Sequence, residues 1–517
     1  MKDSARVSAY QVVPYSPDAL LQCLAEASLA EAEDVKRKLH LRYFTDYFAE
    51  LVALTIVVEP GYVDHDYLED YAAYYVRCFE TYQRTTTRLH FFRRDFSASE
   101  FRSALTDDDS PLKSADLQEA YLGFVVLKPL PQTIIGRTCL VTYGDDRGRR
   151  FFPILRDYEV NLFGIPLTVR SLAYQEQDTV VAACATSALW SCFQGTGRLF
   201  QHAIPSPVEI TKAATRHVPE NLPANSARAL PNNGLTATQM AIAIRDVGLE
   251  PYIVASPSAY LLNSSLYAYL RCRIPLILTI HLYDVIGGTE TLLGAHAVAV
   301  TGFSLGHSNP VPHTSTGFLL RATRIDKIYA HDDQVGPFSR LVHARTAQEY
   351  LATSWQGAGT IEARPWFLLL PLYHKIRIPF ENIHDAILEL DHFLEQARPQ
   401  VYPTLPRTEW DIFLTTVSQL KSDIHMTLRP LLGGGVEKAL VANLPRFIWR
   451  VKARCGNDCH LELLFDATGI AQHNLLVHVI EVRTELPSLI TALAPHVAHR
   501  VNNRQTRTIF DAFLPVP

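Results

Sequence analysis

The chain has 517 residues, 48% of them hydrophobic and 20% charged, with a formal net charge of −5 at pH 7. This composition belongs to a folded protein of about three or four domains and excludes a disordered chain. It also excludes an overall basic field, so neither nucleic acid nor an anionic membrane is an expected partner.

The opening residues, MKDSARVSAYQVVPYSPDAL, put charges and a proline where a signal peptide carries an apolar run. The most apolar stretches, IPLILTI (274–280) and PWFLLLPLY (365–373), are too short to cross a bilayer. Eight cysteines, at 23, 78, 139, 184, 192, 272, 455 and 459, are scattered without a disulfide framework. A soluble, cytoplasmic protein is the expectation.

Taken in order, residues 1–115 read as a mostly helical N-terminal domain. In DYLEDYAAYYVRCFETYQR, Tyr67, Tyr71, Tyr74, Cys78 and Tyr82 recur at helical spacing and form an aromatic packing face. TDDDS (106–110) followed by Pro111 marks a loop. Residues 116–170 read as a small β unit, because YLGFVVLKPLP, TCLVTY and YEVNLFGIPLTV are β-branched and aromatic runs broken by Gly and Pro.

Residues 171–375 alternate helix and strand signals. In GLTATQMAIAIRDVGLEP, Thr236 with Gln239 three positions on is a capping box, Met240, Ile244 and Val247 share one face, and Gly248 stops the helix. Strands follow at RIPLILTIHLYD, AHAVAVTGFSL and TRIDKIYAHDD. Residues 376–517 form an α+β C-terminal domain: the helix ENIHDAILELDHFLEQA, a sheet of RFIWRVKAR, HLELLFDAT and LLVHVIEV, and a last helix near 485–498. Within it, CGNDCH reads as a hairpin turn through Gly456, Asn457 and Asp458 with Cys455 and Cys459 facing each other. It is not read as a metal site, for lack of a fourth ligand and a second pair. His496 and His499 are assigned to an exposed face.

Chemistry concentrates in three places. QDTVVAACATSALWSCF brings Cys184 near the start of a helix opening around Ala182, where unpaired backbone N–H groups favour a thiolate. Cys192, two turns on, reads as packing. In LLGAHAVAVTGF, His296 stands at the mouth of an apolar strand and needs a partner; a core histidine bonded to a carbonyl is the plain alternative. KIYAHDDQVGPF ends a strand on Asp332 and Asp333, either able to orient an imidazole or simply to bond the turn backbone.

These features resemble the papain-like cysteine peptidase superfamily, most closely the double-glycine (bacteriocin-leader) peptidases. The likeness lies in the Cys helix, the GLTxxQM helix, the proline-led strand, the GAHAV strand and the strand-end Asp before a Gly turn, over about 171–345. It implies an α+β fold with a papain-like catalytic core in 171–375: a helix carrying Cys packed on an antiparallel sheet carrying His and Asp. Carried over by position, Cys184 is the nucleophile, His296 the base and acid, Asp332 the orienting carboxylate with Asp333 as its fallback, and Gln177 the oxyanion-hole amide. Gln177 departs from the family by lying one residue further upstream, and Ala185 stands where the family has Trp.

The resemblance implies a cysteine peptidase cleaving a peptide or isopeptide bond in a protein substrate through a thioester. A thiol acyltransferase or transglutaminase-like enzyme would use the same triad, and an inactive protein-binding module would use the same fold. No cofactor and no metal are implied. The size of the flanking domains points to a protein or peptide substrate and to a possible regulatory partner.

Overall fold

The computed structural model describes residues 10–178, 180–216, 230, 234–256, 258–344, 350–353, 361–428 and 436–514. With 37% helix and 32% strand the fold is α+β. The chain divides into two compact units. Met1–Ile253, Pro275–Gly302 and Ile328–Pro371 make the first; Val254–Ile274, Phe303–Lys327 and Leu372–Pro517 make the second. Among the described residues no helix is long and apolar enough to cross a membrane.

The first unit opens with a five-stranded antiparallel sheet, ordered Gln11–Pro14, Thr55–Tyr62, Thr86–Phe92, Tyr121–Leu127 and Ile135–Leu140. Three of these strands lie in the region expected to be mostly helical. TIVV (55–58) and TTRLHFF (86–92) are β-branched and aromatic, and that preference outweighs the helical texture around them. The sheet also draws strands from both sides of residue 115, joining the helical stretch to the β unit. Helix Leu39–Glu50 packs on it through Phe48, whose ring stacks on Phe91 at 3.9 Å. The aromatic stripe is a packing face, but on a broken helix. Helix His65–Ala73 ends before a short turn at Tyr75–Arg77, and buried Tyr67 and Tyr75 pack with Val181 and Val208.

A second sheet follows the order Leu276–Ile286, Thr289–Ser304, Lys327–Asp332, Gly336–His343, Leu351–Ala352 and Ile361–Leu372. Ile361–Leu372 also pairs back onto Leu276–Ile286, so this part of the path closes on itself like a barrel, with Glu250–Ala255 added beyond it. The hairpin between its first two strands turns on Gly287 and Gly288, with φ of 58° and 84°. Both positions need positive φ, which only glycine adopts without strain. Helix Cys184–Phe200 is almost wholly buried, and its small residues permit that: a Cβ on Gly197 would sit 2.6 Å from Ile204. The expected capping box is present, with Gln239 and Thr236 exchanging bonds at 2.9 and 3.3 Å.

The second unit carries helices Ala259–Leu270, Phe380–Val401, Glu485–Val497 and Arg504–Ala512 around a sheet ordered Leu319–Leu320, Thr408–Thr416, Phe447–Cys455, Asp458–Asp466 and Leu476–Glu481. Arg450 is fully buried in its core, paired with Glu462 at 2.7 Å and Asp423 at 2.7 Å. The CGNDCH hairpin forms, but its turn is the two residues Gly456 and Asn457. The register therefore pairs Cys455 with Asp458 and Arg454 with Cys459. The two cysteines are offset by one position rather than facing each other.

Candidate active site

The approach to Cys184 is shaped by one buried carboxylate. Asp178 accepts the backbone N–H groups of Val180 at 2.9 Å and Val181 at 3.2 Å, and its own backbone bridges Ala182. An aspartate that captures amides two and three residues on folds the chain into a tight turn. The Tyr75 hydroxyl donates to the other oxygen of Asp178, and Lys128 lies 3.9 Å away. The turn delivers Cys184 as the first residue of its helix, where no side chain caps Ala183. Cys184 is half-buried, whereas Cys192 is fully buried and its thiol is pushed strongly upward by burial. The competing nucleophile is thereby set aside.

His296 is 4% exposed, on the strand whose preceding Gly294 and Ala295 leave its mouth open. Its Nε2 lies 3.0 Å from Asp332 Oδ1 and 3.6 Å from Asp333 Oδ1. The Cys184 side chain is also a hydrogen-bonding partner of the ring. Burial opposes charge on the ring, but the two aspartates, the Asp332 bond and the Cys184 bond together outweigh it. The imidazolium is held well above the ordinary histidine range.

Consecutive strand residues normally point to opposite faces. Asp332 and Asp333 reach the same nitrogen because the strand ends at Asp332 and a turn begins, closed by Val335 N–H to Asp332 O at 3.0 Å. Gln334 N–H donates to Asp332 Oδ1 at 3.2 Å. The Asp333 carbonyl accepts from His40 at 3.0 Å and Tyr174 at 3.2 Å. The Asp333 carboxylate, 3% exposed, has no hydrogen-bond partner on either oxygen among the described residues. Burial raises it far out of the usual carboxylate range, with His296 only partly offsetting this. His331, just before Asp332 in sequence, is structural. Its Nε2–H donates to the Leu172 carbonyl at 3.0 Å and its Nδ1 accepts the Phe338 N–H at 3.1 Å.

Gln177 is half-buried on the wall of a cavity of about 280 Å³, shared with Lys38, His40, Thr133, Glu176 and Asp333. Nearby Gln175 is buried, with no partner for its amide nitrogen among the described residues. His40 and Tyr174 carry no signal in the sequence, and Asp178 stands there only as the end of a short polar stretch ahead of the helix. One donor atom from each of His296, Asp332 and Asp333 lies within 4.8 Å of the others, a set that could hold a metal ion. Comparison of the sequence with family models and with curated proteins finds no match.

Proposed function

We propose that the chain is a papain-like thiol hydrolase that cleaves a peptide or isopeptide bond in a protein substrate. The observation that carries this reading is the Asp332–His296 bond at 3.0 Å, on a ring that also hydrogen-bonds Cys184.

The chemistry follows from that order. The Cys184 sulfur, its proton held on His296 Nδ1, attacks the substrate carbonyl carbon, and the carbonyl oxygen becomes an oxyanion. Two N–H donors stabilise it, the backbone amide of Cys184 and the side chain of Gln177. The imidazolium gives its Nδ1 proton to the leaving amine as the C–N bond breaks, leaving a thioester on Cys184. His296 then takes a proton from water, whose oxygen displaces the sulfur and releases the acid. Asp332 keeps the ring in the tautomer and orientation both steps need.

The test is a thiol-alkylating probe at neutral pH. Cys23, Cys78 and Cys459 are half-buried like Cys184 and serve as internal controls. Burial pushes the Cys23 and Cys459 thiols up to about 11 each, so they stay protonated. Labelling of Cys184 far ahead of all three supports the hydrolase; even labelling leaves only the binding module. Product masses from a peptide library with an added amine then separate hydrolysis from acyl transfer.

A further inference from the structure

We propose that His296, Asp332 and Asp333 form a binding site for a divalent transition-metal ion of the zinc class, and that filling it switches off the Cys184 thiol. The binding half stands on geometry alone; the switching half rests on the hydrolase reading.

The triad does not account for Asp333. Asp332 alone orients the imidazole, yet a second carboxylate is buried beside the same nitrogen with both oxygens lacking a hydrogen-bond donor among the described residues. The His296 ring 3.6 Å away gives it a charge partner but no hydrogen bond, and a buried carboxylate so placed favours a cation or a donor at contact distance. The spacing suits a cation. An ion with tetrahedral bonds of about 2.0–2.1 Å to nitrogen and oxygen needs ligand-to-ligand edges of roughly 3.3–3.4 Å. The two edges at Nε2 measure 3.0 and 3.6 Å, on either side of that value. One imidazole and two carboxylates would neutralise a dication, with water as a fourth ligand, and such a donor set suits the zinc class.

Outer partners hold the ligands in place, as metal sites require. Gln334 N–H fixes Asp332, and His40 and Tyr174 fix the Asp333 carbonyl. The cavity that Asp333 lines would be the route of access, and its described lining includes Lys38 paired with Glu176. The ion would displace the proton from Nε2 into solvent. The ring would then carry its only N–H at Nδ1 and, as a neutral metal-bound imidazole, would release it far less readily than an imidazolium. The leaving amine would go unprotonated and acylation would stall.

The experiment uses the metal-stripped full chain carrying Cys184→Ser, titrated with Co²⁺ by absorption and with Zn²⁺ by calorimetry. One ion per chain is expected, with cobalt d–d bands, and the wild type should show the same bands without a sulfur-to-cobalt charge-transfer band. Asp333→Asn in the same background should weaken binding at least about tenfold, with circular dichroism confirming the fold. Absence of saturable binding in Cys184→Ser, a charge-transfer band in the wild type, or unchanged affinity in a folded Asp333→Asn each overturns the site. Because binding is read without turnover, a chain that binds metal but never reacts at Cys184 keeps the site and discards the switch. A hydrolase with no metal binding discards both site and switch and leaves the hydrolase reading intact. In an active wild type, Zn²⁺ should inhibit at the concentration where Cys184→Ser binds it, and a chelator should restore activity; inhibition at an unrelated concentration overturns the switch.

Discussion

The ring of Tyr43 occupies the space that a side chain at position 336 would need. A Cβ on Gly336 would lie 2.2 Å from Tyr43 Cδ1, while the Tyr43 hydroxyl donates to the Pro337 carbonyl at 2.6 Å. Helix Leu39–Glu50 thus presses directly on the turn that carries Asp332 and Asp333. Gly336→Ala should destabilise the protein by about 1–3 kcal/mol through overpacking. The denaturation midpoint should fall, and Cys184 labelling should slow as the carboxylates shift. In a Tyr43→Ala background the same substitution should be milder, and a double-mutant cycle showing no coupling would refute the contact.

Asp332 is the orienting carboxylate of the proposed reaction. Asp332→Asn should lower kcat by roughly 10²- to 10⁴-fold, because the amide no longer favours the imidazolium or its tautomer. The sign of the pH effect follows from the raised His296. Its charged form persists above the ordinary range only while both aspartates and Cys184 hold it there. Removing one carboxylate lowers the pH at which the ring loses its proton. The alkaline limb of the rate profile, measured with chelator present, should therefore move to lower pH in Asp332→Asn. A shift upward, or none, would contradict the assignment.

Gln177→Ala tests the second oxyanion donor. Loss of one such donor costs about 10²–10³ in kcat with little change in KM. Gln175→Ala is the comparison, since its amide is the buried, unpartnered one. If Gln175→Ala alone lowers kcat, the role passes to that residue.

Acid stability has its own source. Burial pushes His331 down to about 3 and His90 down to about 4, from an ordinary value of 6.5. In the unfolded chain both take up a proton as pH falls below about 6.5, while in the folded protein neither does. Their contribution is complete above the unfolded value and is lost as pH falls through the window toward about 3 and 4. Each removes on the order of 1.4 kcal/mol per pH unit there. His331→Gln should cost stability at pH 7, through the lost bonds to Leu172 and Phe338, and cost less at pH 5. Urea midpoints at the two values decide it; an equal deficit at both would remove His331 as the cause.

What could be read from sequence was local. The Thr236–Gln239 box and a helix with Cys184 in its first turn depend on neighbours within four residues, and the structure has both, the helix opening at Cys184 and not at Ala182. The strands Thr55–Tyr62 and Thr86–Phe92 escape a helical reading of this stretch because each is set among helices. His296 and Asp332 were each visible as a polar residue at a strand end, but their meeting depends on two strands lying side by side. That Asp333 reaches the same nitrogen depends on where the strand stops. The cavity beside it depends on Lys38 meeting Glu176, 138 positions away, which no periodicity encodes.

Tyr75 grips Asp178 ahead of the nucleophile, and His40 and Tyr43 grip the turn behind the imidazole. The leading segment is thus scaffolding for both halves of the chemistry instead of a removable appendage. A single proteolytic nick that let residues 1–170 drift away would disarm the sulfur without touching it. Mixing the separated pieces 1–170 and 171–517 should revive alkylation at Cys184; a lone 171–517 fragment that reacts at full speed would show the grip to be idle.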